Sequence, residues 1–223
     1  MWLGNIFRGL CKSVTAMLYI IEPVLAPKIQ ALPFIERYGG IAHPMTHSFG
    51  TETLKTFPVS MSLTGAQCFD QGKYANLVPD ERYKSVSYLE GLTSPGQVTF
   101  SDPKSHIATI TQSIKLVVWL NMAKLGRTSQ ADVGLMALAA IAAIQGNYPV
   151  NYAGVRGRLE VNRATVRMDR SGAFGGYSYT DKQPLFMWPF GFFAIEFNTI
   201  TQIPKGCLTE IENLSPIDCV TLW

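Results

Sequence analysis

Residues 107–120 have the sequence IATITQSIKLVVWL, and after a short turn residues 130–145 have the sequence QADVGLMALAAIAAIQ. The first stretch places apolar side chains at alternate positions, broken only by Gln112, and this period of two is typical of a strand with one buried face. Val117 and Trp119 lie on its other side, which indicates that the second face is at least partly covered. The second stretch repeats its apolar residues at intervals of three and four, as a helix does. A central strand followed by a helix is therefore the predicted organising unit.

The composition is that of a folded protein with a substantial core and little charge. Of the 223 residues, 47% are hydrophobic and 16% are charged, and the net charge is +3. A net charge this small does not identify a nucleic-acid or membrane partner. Low charge combined with 19 glycines, 13 prolines and 11% aromatic residues favours a protein whose remaining apolar surface contacts neighbouring subunits. We therefore expect an assembly rather than a monomer.

The N-terminal segment is apolar, but it does not have the pattern of a signal peptide or a membrane span. Arg8 and Lys12 interrupt residues 2–21, and no small-residue cleavage site follows. We predict a partly amphipathic helix here, with a membrane-surface anchor as the alternative. Four widely spaced cysteines form no ligand or disulfide motif and are interpreted as reduced structural thiols: Cys11, Cys68, Cys207 and Cys219.

Prolines follow the N-terminal helix. Pro23, Pro27 and Pro33 each lack a backbone donor, so we expect no straight helix through residues 23–33 and a loop or arm as far as residue 50. The predicted domain boundaries are an N-terminal helix and proline-rich arm over residues 1–50, a core domain over 51–203 and a C-terminal arm over 204–223.

Two histidines in this arm resemble a metal pair only in their spacing. His43 and His47 are four residues apart, as in helical zinc motifs. Pro44 lies between them, however, and no neighbouring Asp, Glu or Cys completes a ligand set. We interpret them as loop histidines and predict no metal site.

The remaining strand signals predict one sheet. Residues 57–63 alternate apolar and polar side chains, and Pro58 restricts that strand to an edge or to its first position. Residues 155–168 change phase around Asn162, which indicates a bulge, and residues 187–203 give a further long aromatic strand. The fold class is therefore predicted as α+β, with a mixed or antiparallel sheet, one helix at about residues 129–145 packed on it, and an N-terminal helix.

Five arginines in fifteen residues mark the strand at 155–168 and its exit: Arg156, Arg158, Arg163, Arg167 and Arg170. Such a stripe is able to hold phosphates. The alternative is a solvated or intersubunit face paired with Glu160, Asp169 and carboxylates of a neighbour. No aromatic side chain alternates with these arginines, so a base-stacking platform is not predicted. We assign them as a candidate lumen or interface.

The sequence contains no recognisable catalytic motif. It lacks a nucleophile elbow, a HExxH zinc motif, paired carboxylates and a Cys/His signature. A search for motifs does not detect a catalytic site that the fold assembles from residues distant in sequence. We predict that the protein is not an enzyme and has no catalytic residues, no metal and no cofactor.

The order of elements resembles a known family. The strand beginning Phe57-Pro58-Val59 runs into Leu63-Thr64-Gly65-Ala66, the strand–helix pair of residues 107–145 follows, and Met187-Trp188-Pro189-Phe190 opens the last strand. Over residues 50–203 this order is similar to that of the tail-terminator, or tail-completion, proteins of long-tailed phages. The N-terminal segment and the C-terminal tail depart from the compact family pattern, which leaves a neck, connector or baseplate role open.

The resemblance implies a structural virion protein, located in the tail or neck after synthesis in the host cytoplasm. In this family a ring of six identical subunits caps the tail tube and joins it to the neck. The implied partners are copies of the chain itself, the tail tube and neck or connector proteins, with passing contact to DNA in the lumen and no membrane. The alternative is a head–tail connector or packaging protein that contacts DNA through the arginine stripe. The candidate subunit contacts are Trp119, Trp188, Phe190 and Phe192.

Overall fold

The computed structural model describes residues 18–47, 55–60, 77–92, 97–100 and 106–204. They form helices and strands in this order: α1 (18–30), β1 (Arg37–His47), β2 (Lys55–Ser60), β3 (Ser85–Gly91), β4 (Gln97–Phe100), β5 (Ile107–Asn121), α2 (Ala131–Ile144), β6 (Gly146–Tyr152), β7 (Val155–Arg167), α3 (Arg170–Phe174), a 3-10 segment (Thr180–Phe186) and β8 (Phe190–Pro204).

The strands form a single mixed sheet in the order β2-β1-β3-β5-β8-β7-β6, and β4 pairs with β5 on the same side as β3. β1 and β3 are parallel, and the other pairs are antiparallel. The two central strands pair along their whole length, from Ile107 opposite Pro204 to Asn121 opposite Phe190. The predicted α+β fold with a mixed sheet, a packed helix and an N-terminal helix is confirmed.

The first face of the sheet carries α1 and α2. Ile114, Leu116 and Val118 of β5 are buried on this face in a continuous core with both helices. Gly191 of β8 allows α2 to lie close to the sheet, because an added Cβ would come within 2.7 Å of Cγ2 of Val133. Ala137 and Ala140 of α2 are buried in the same core, against the sheet of their own chain.

The second face is covered at one end. Val117 and Trp119 are buried there beneath α3 and the 3-10 segment, in a second cluster rich in aromatic residues. The opposite end of β5 is open, since its side chains from Ile107 to Ser113 on this face are exposed or half-buried. The alternation in the sequence correctly indicated coverage at Val117 and Trp119.

The helix α1 continues through two prolines, contrary to the expectation from sequence. The chain remains helical to residue 30, past Pro23 and Pro27. Leu25 and Ile29 are buried on its inner side, whereas Pro27 is exposed and Pro23 is half-buried. Burial of the inner side offsets the two helical N–H donors that the prolines lack.

Residues 37–47 form a strand rather than a loop or arm. β1 lies between β2 and β3, and Ile41 belongs to the main core. Residues 18–47 are therefore part of the same sheet and core as β5, and the boundary predicted near residue 50 separates no structural unit. Strand β2, which contains Pro58, lies at the sheet edge as its proline predicts.

One further expectation concerns β7, and others concern residues that the structure does not describe. The predicted bulge is present, since the pairing of β7 with β8 shifts register between Asn162 and Thr165, and Arg163 has a φ of 48°. The predictions for residues 1–17, for 61–66 and for the arm over 205–223 lie outside the described residues, as do all four cysteines.

Candidate functional site

The outward side of α2 is apolar. Asp132 is the only charged residue in this helix, and the outward side chains of Leu135 and Leu138 are 63% and 61% exposed. Ala139 and Ala142 are exposed beside them. A helix that is apolar all round is usually covered on all sides. This surface, called here the outer face of α2, is therefore a candidate contact surface.

A groove runs along one side of this outer face. It has a volume of about 290 Å³, and its apolar lining consists of Pro33, Phe34, Leu125, Leu135, Met136 and Ala139. Arg127 and Asp132 also line it and supply one positive and one negative group. The groove, called here the α2 groove, joins the turn after α1 to the start of α2, so its parts are distant in sequence.

An apolar protrusion follows the 3-10 segment that covers the second face. Met187 is 68% exposed and Trp188 is 52% exposed. The chain is fixed on both sides of this pair, because Met187 N–H donates to the Pro184 carbonyl at 3.2 Å and Met122 N–H donates to the Pro189 carbonyl at 3.0 Å. The Met187–Trp188 protrusion is therefore an apolar surface held on a rigid base.

The four aromatic residues predicted as subunit contacts occupy three different environments. Trp119 is buried within its own chain, stacks on Phe190 at 5.2 Å and donates its indole N–H to the Leu185 carbonyl at 2.7 Å. Phe190 and Phe192 are half-buried, and Phe192 packs against Phe174 at 5.4 Å. Trp188 is the exposed member of the four. Because Trp119 is buried within its own chain, a subunit contact through Trp119 does not fit this structure.

Part of the predicted arginine stripe is an exposed surface in the structure. Arg156, Arg158 and Arg167 project from β7 on the second face and are exposed, and Arg163 is exposed at the bulge. Beside them on β8 the sheet presents polar side chains such as Asn198, which accepts a hydrogen bond from the Ser113 hydroxyl at 3.0 Å. This open, polar end of the second face is called here the arginine face.

Two of the five arginines have partners among the residues that the structure describes. Arg167 lies 3.5 Å from the Glu196 carboxylate. Arg170 belongs to α3, where its guanidinium lies over the Phe186 ring at 4.6 Å and bonds to Gln183. Arg170 therefore helps to hold the covering layer in place, and it does not extend the arginine face.

A buried ion pair that the sequence reading missed lies beneath the covering layer. Lys115 Nζ is 2.6 Å from the Glu90 carboxylate, both side chains are almost fully buried, and the Tyr177 hydroxyl donates to the same carboxylate. Burial, and then the charge of Glu90, raise the pKa of Tyr177. The signal was a single lysine within the apolar run IKLVVWL, where an unpaired charge would be costly.

His43 lies in β1, and its side chain is half-buried. Burial lowers the pKa of His43, which favours its neutral form. Across the described parts of the chain, no group of three His, Cys, Asp or Glu side chains is placed to hold a metal ion. Within the same residues, no helix is long and apolar enough to cross a membrane.

Comparison with protein-family models and with curated proteins gives no match.

Proposed function

We propose that this chain is a structural virion protein that forms a ring, caps a phage tail tube and joins it to the neck. The observation that carries the proposal is the apolar outer face of α2, where two leucines are more than half exposed. A surface of this kind on a folded chain marks a contact with another protein. The resemblance in element order to tail-terminator proteins supplies the type of assembly.

A ring requires two different surfaces on each subunit that fit one another. The outer face of α2 lies on the first side of the sheet, and the Met187–Trp188 protrusion follows the layer on the second side. Surfaces on opposite sides of one sheet are suited to a head-to-tail contact that continues from subunit to subunit. The proposed partners are six copies of the chain, the tail tube and neck or connector proteins, and the proposal includes no catalytic residue, cofactor or membrane.

Electron microscopy of the purified chain tests this proposal. We expect class averages of a closed ring with a central opening and sixfold symmetry. Leu138→Glu, which introduces charge on the outer face of α2, is expected to reduce the ring population, whereas the exposed control Arg82→Glu is expected to leave it unchanged. Monomeric particles at every protein concentration would refute the proposal.

The second candidate function is a connector or packaging protein that contacts DNA. The observation that favours it is the exposure of Arg156 and Arg158 on the uncovered end of the second face and of Arg163 at the nearby bulge. The sequence offers little other support, because the net charge of the chain is +3. In this alternative the arginine face would lie against the phosphate backbone.

Salt-dependent DNA binding distinguishes the two functions. If the three arginines contact phosphates, the slope of log K against log salt should fall in magnitude by about 0.9 for each arginine replaced by glutamine. Fluorescence anisotropy with a labelled duplex measures this slope, and Arg82→Gln is the control at an exposed arginine outside the arginine face. Absent or salt-independent binding would exclude this candidate.

A further inference from the structure

We propose that the Met187–Trp188 protrusion of one copy of this chain inserts into the α2 groove of a second copy. This inference rests on the proposed ring-forming function and specifies the contact between subunits. It also assigns an occupant to the groove, since a second copy supplies the indole ring of its own Trp188. The support comes from size, chemistry and placement.

The groove has the size of an aromatic side chain. An apolar cavity of about 150 Å³ accommodates a benzene molecule. The α2 groove has a volume of about 290 Å³, which leaves room for the larger, two-ring indole together with part of the Met187 side chain. Aromatic side chains held in apolar pockets are frequent centres of protein–protein contacts.

The polar groups of the groove also suit an indole. Asp132 lines the groove at the first turn of α2 and offers carboxylate oxygens to an indole N–H, which is a donor only. Arg127 lines the same groove and offers a guanidinium to the face of the ring. Apolar walls with one acceptor and one cation therefore match tryptophan better than an aliphatic side chain.

The placement of the two surfaces favours contact between copies. The groove lies beside α2 on the first side of the sheet, and the protrusion follows the 3-10 segment on the second side. Both lie at the same end of the sheet, since Met122 bonds to the Pro189 carbonyl and Leu125, three residues later, lines the groove. Two copies stacked with the first side of one sheet toward the second side of the other would thus bring a protrusion opposite a groove.

Complementation between two variants tests the contact. Trp188→Ser removes the protrusion and leaves the groove, whereas Ala139→Arg fills the groove and leaves the protrusion. Each variant alone is expected to weaken self-association by about 30-fold or more, as loss of a central aromatic contact does. An equimolar mixture is expected to recover a one-to-one pair, because one intact protrusion then meets one intact groove. Analytical ultracentrifugation measures all three samples.

The controls separate contact from folding. Ile107→Ser removes an exposed apolar side chain at the other end of β5, and Asn147→Arg adds the same charge at an exposed position of β6, outside the α2 groove and the outer face of α2; both are expected to assemble as the wild type does. Circular dichroism verifies that each variant is folded. Normal assembly of Trp188→Ser, or a mixture that stays monomeric, would overturn the inference while the proposed ring stands. A wild-type chain that is monomeric throughout would overturn both.

Discussion

At the scale of residues, the buried pair of Lys115 and Glu90 has the largest predicted effect on stability. The two residues are opposite each other in the pairing of β3 with β5, and their charged groups are 2.6 Å apart. Lys115 also donates to the Ala173 carbonyl at 3.4 Å, so the pair links the sheet to α3. Removing one member would leave the other charge buried without its counterion.

The substitution Lys115→Met is therefore expected to destabilise the fold by about 3–5 kcal/mol, the usual cost of breaking a buried ion pair. The double variant Lys115→Met/Glu90→Gln removes both charges, and we expect it to recover most of that loss. Denaturation in urea measures the free energy of unfolding of each variant.

The matched control is Arg82→Gln, because the Arg82 side chain is 77% exposed while its ion pair with Asp80 has the same 2.6 Å separation. We expect no measurable change in this control, since solvent screens exposed pairs. If Lys115→Met costs no more than Arg82→Gln, the buried pair does not contribute to stability as described.

At the scale of elements, α2 has two sides with different roles. Its inward residues, such as Ala137 and Ala140, are buried against the sheet, and its C-terminal end is fixed by the Tyr148 hydroxyl, which donates to the Ile144 carbonyl at 2.8 Å. Its outward leucines contact solvent within this chain. Folding therefore depends on one side of the helix, and the proposed assembly depends on the other.

Paired substitutions separate these two roles. Ala140→Leu adds volume to a site with 0% exposure and is expected to cost about 1–3 kcal/mol. Leu138→Gln on the outward side is expected to change the free energy of unfolding by less than about 0.5 kcal/mol while weakening self-association. Urea denaturation at low protein concentration, where assembly does not add to stability, provides the comparison. A larger folding cost for Leu138→Gln than for Ala140→Leu would show that the two sides have been assigned in reverse.

At the scale of the whole molecule, the sequence predicted the centre of the fold better than its margins. The alternation in β5 and β8 indicated the buried first face and the covered end of the second face, since each strand combines a long apolar series with a second series that includes Trp119 or Ala194. The bulge near Asn162 was predicted from the change of phase in the apolar and polar alternation of residues 155–168. The prediction that the prolines interrupt α1 was wrong, because the conformational preference of proline does not include the burial gained by Leu25 and Ile29.

The candidate surfaces were harder to predict for a physical reason. The α2 groove combines Phe34, Leu125 and Ala139, which only the fold brings together. Trp119 and Trp188 look equivalent in sequence, yet one stacks beneath the covering layer and the other projects from it. The sequence showed the arginine face as a run of charged residues. The contact of Arg170 with the Phe186 ring, however, depends on the position of α3.

Native mass spectrometry of the intact chain, recorded across a range of protein concentrations, distinguishes a closed ring from a monomer and from an open polymer. A ring-forming subunit is expected to give one closed species at a fixed multiple of the chain mass, six copies by the family resemblance, with few intermediates. A closed ring satisfies every contact surface, so higher concentration should add rings without lengthening them. A monomer at all concentrations, or an open ladder of sizes that grows with concentration, would contradict the account.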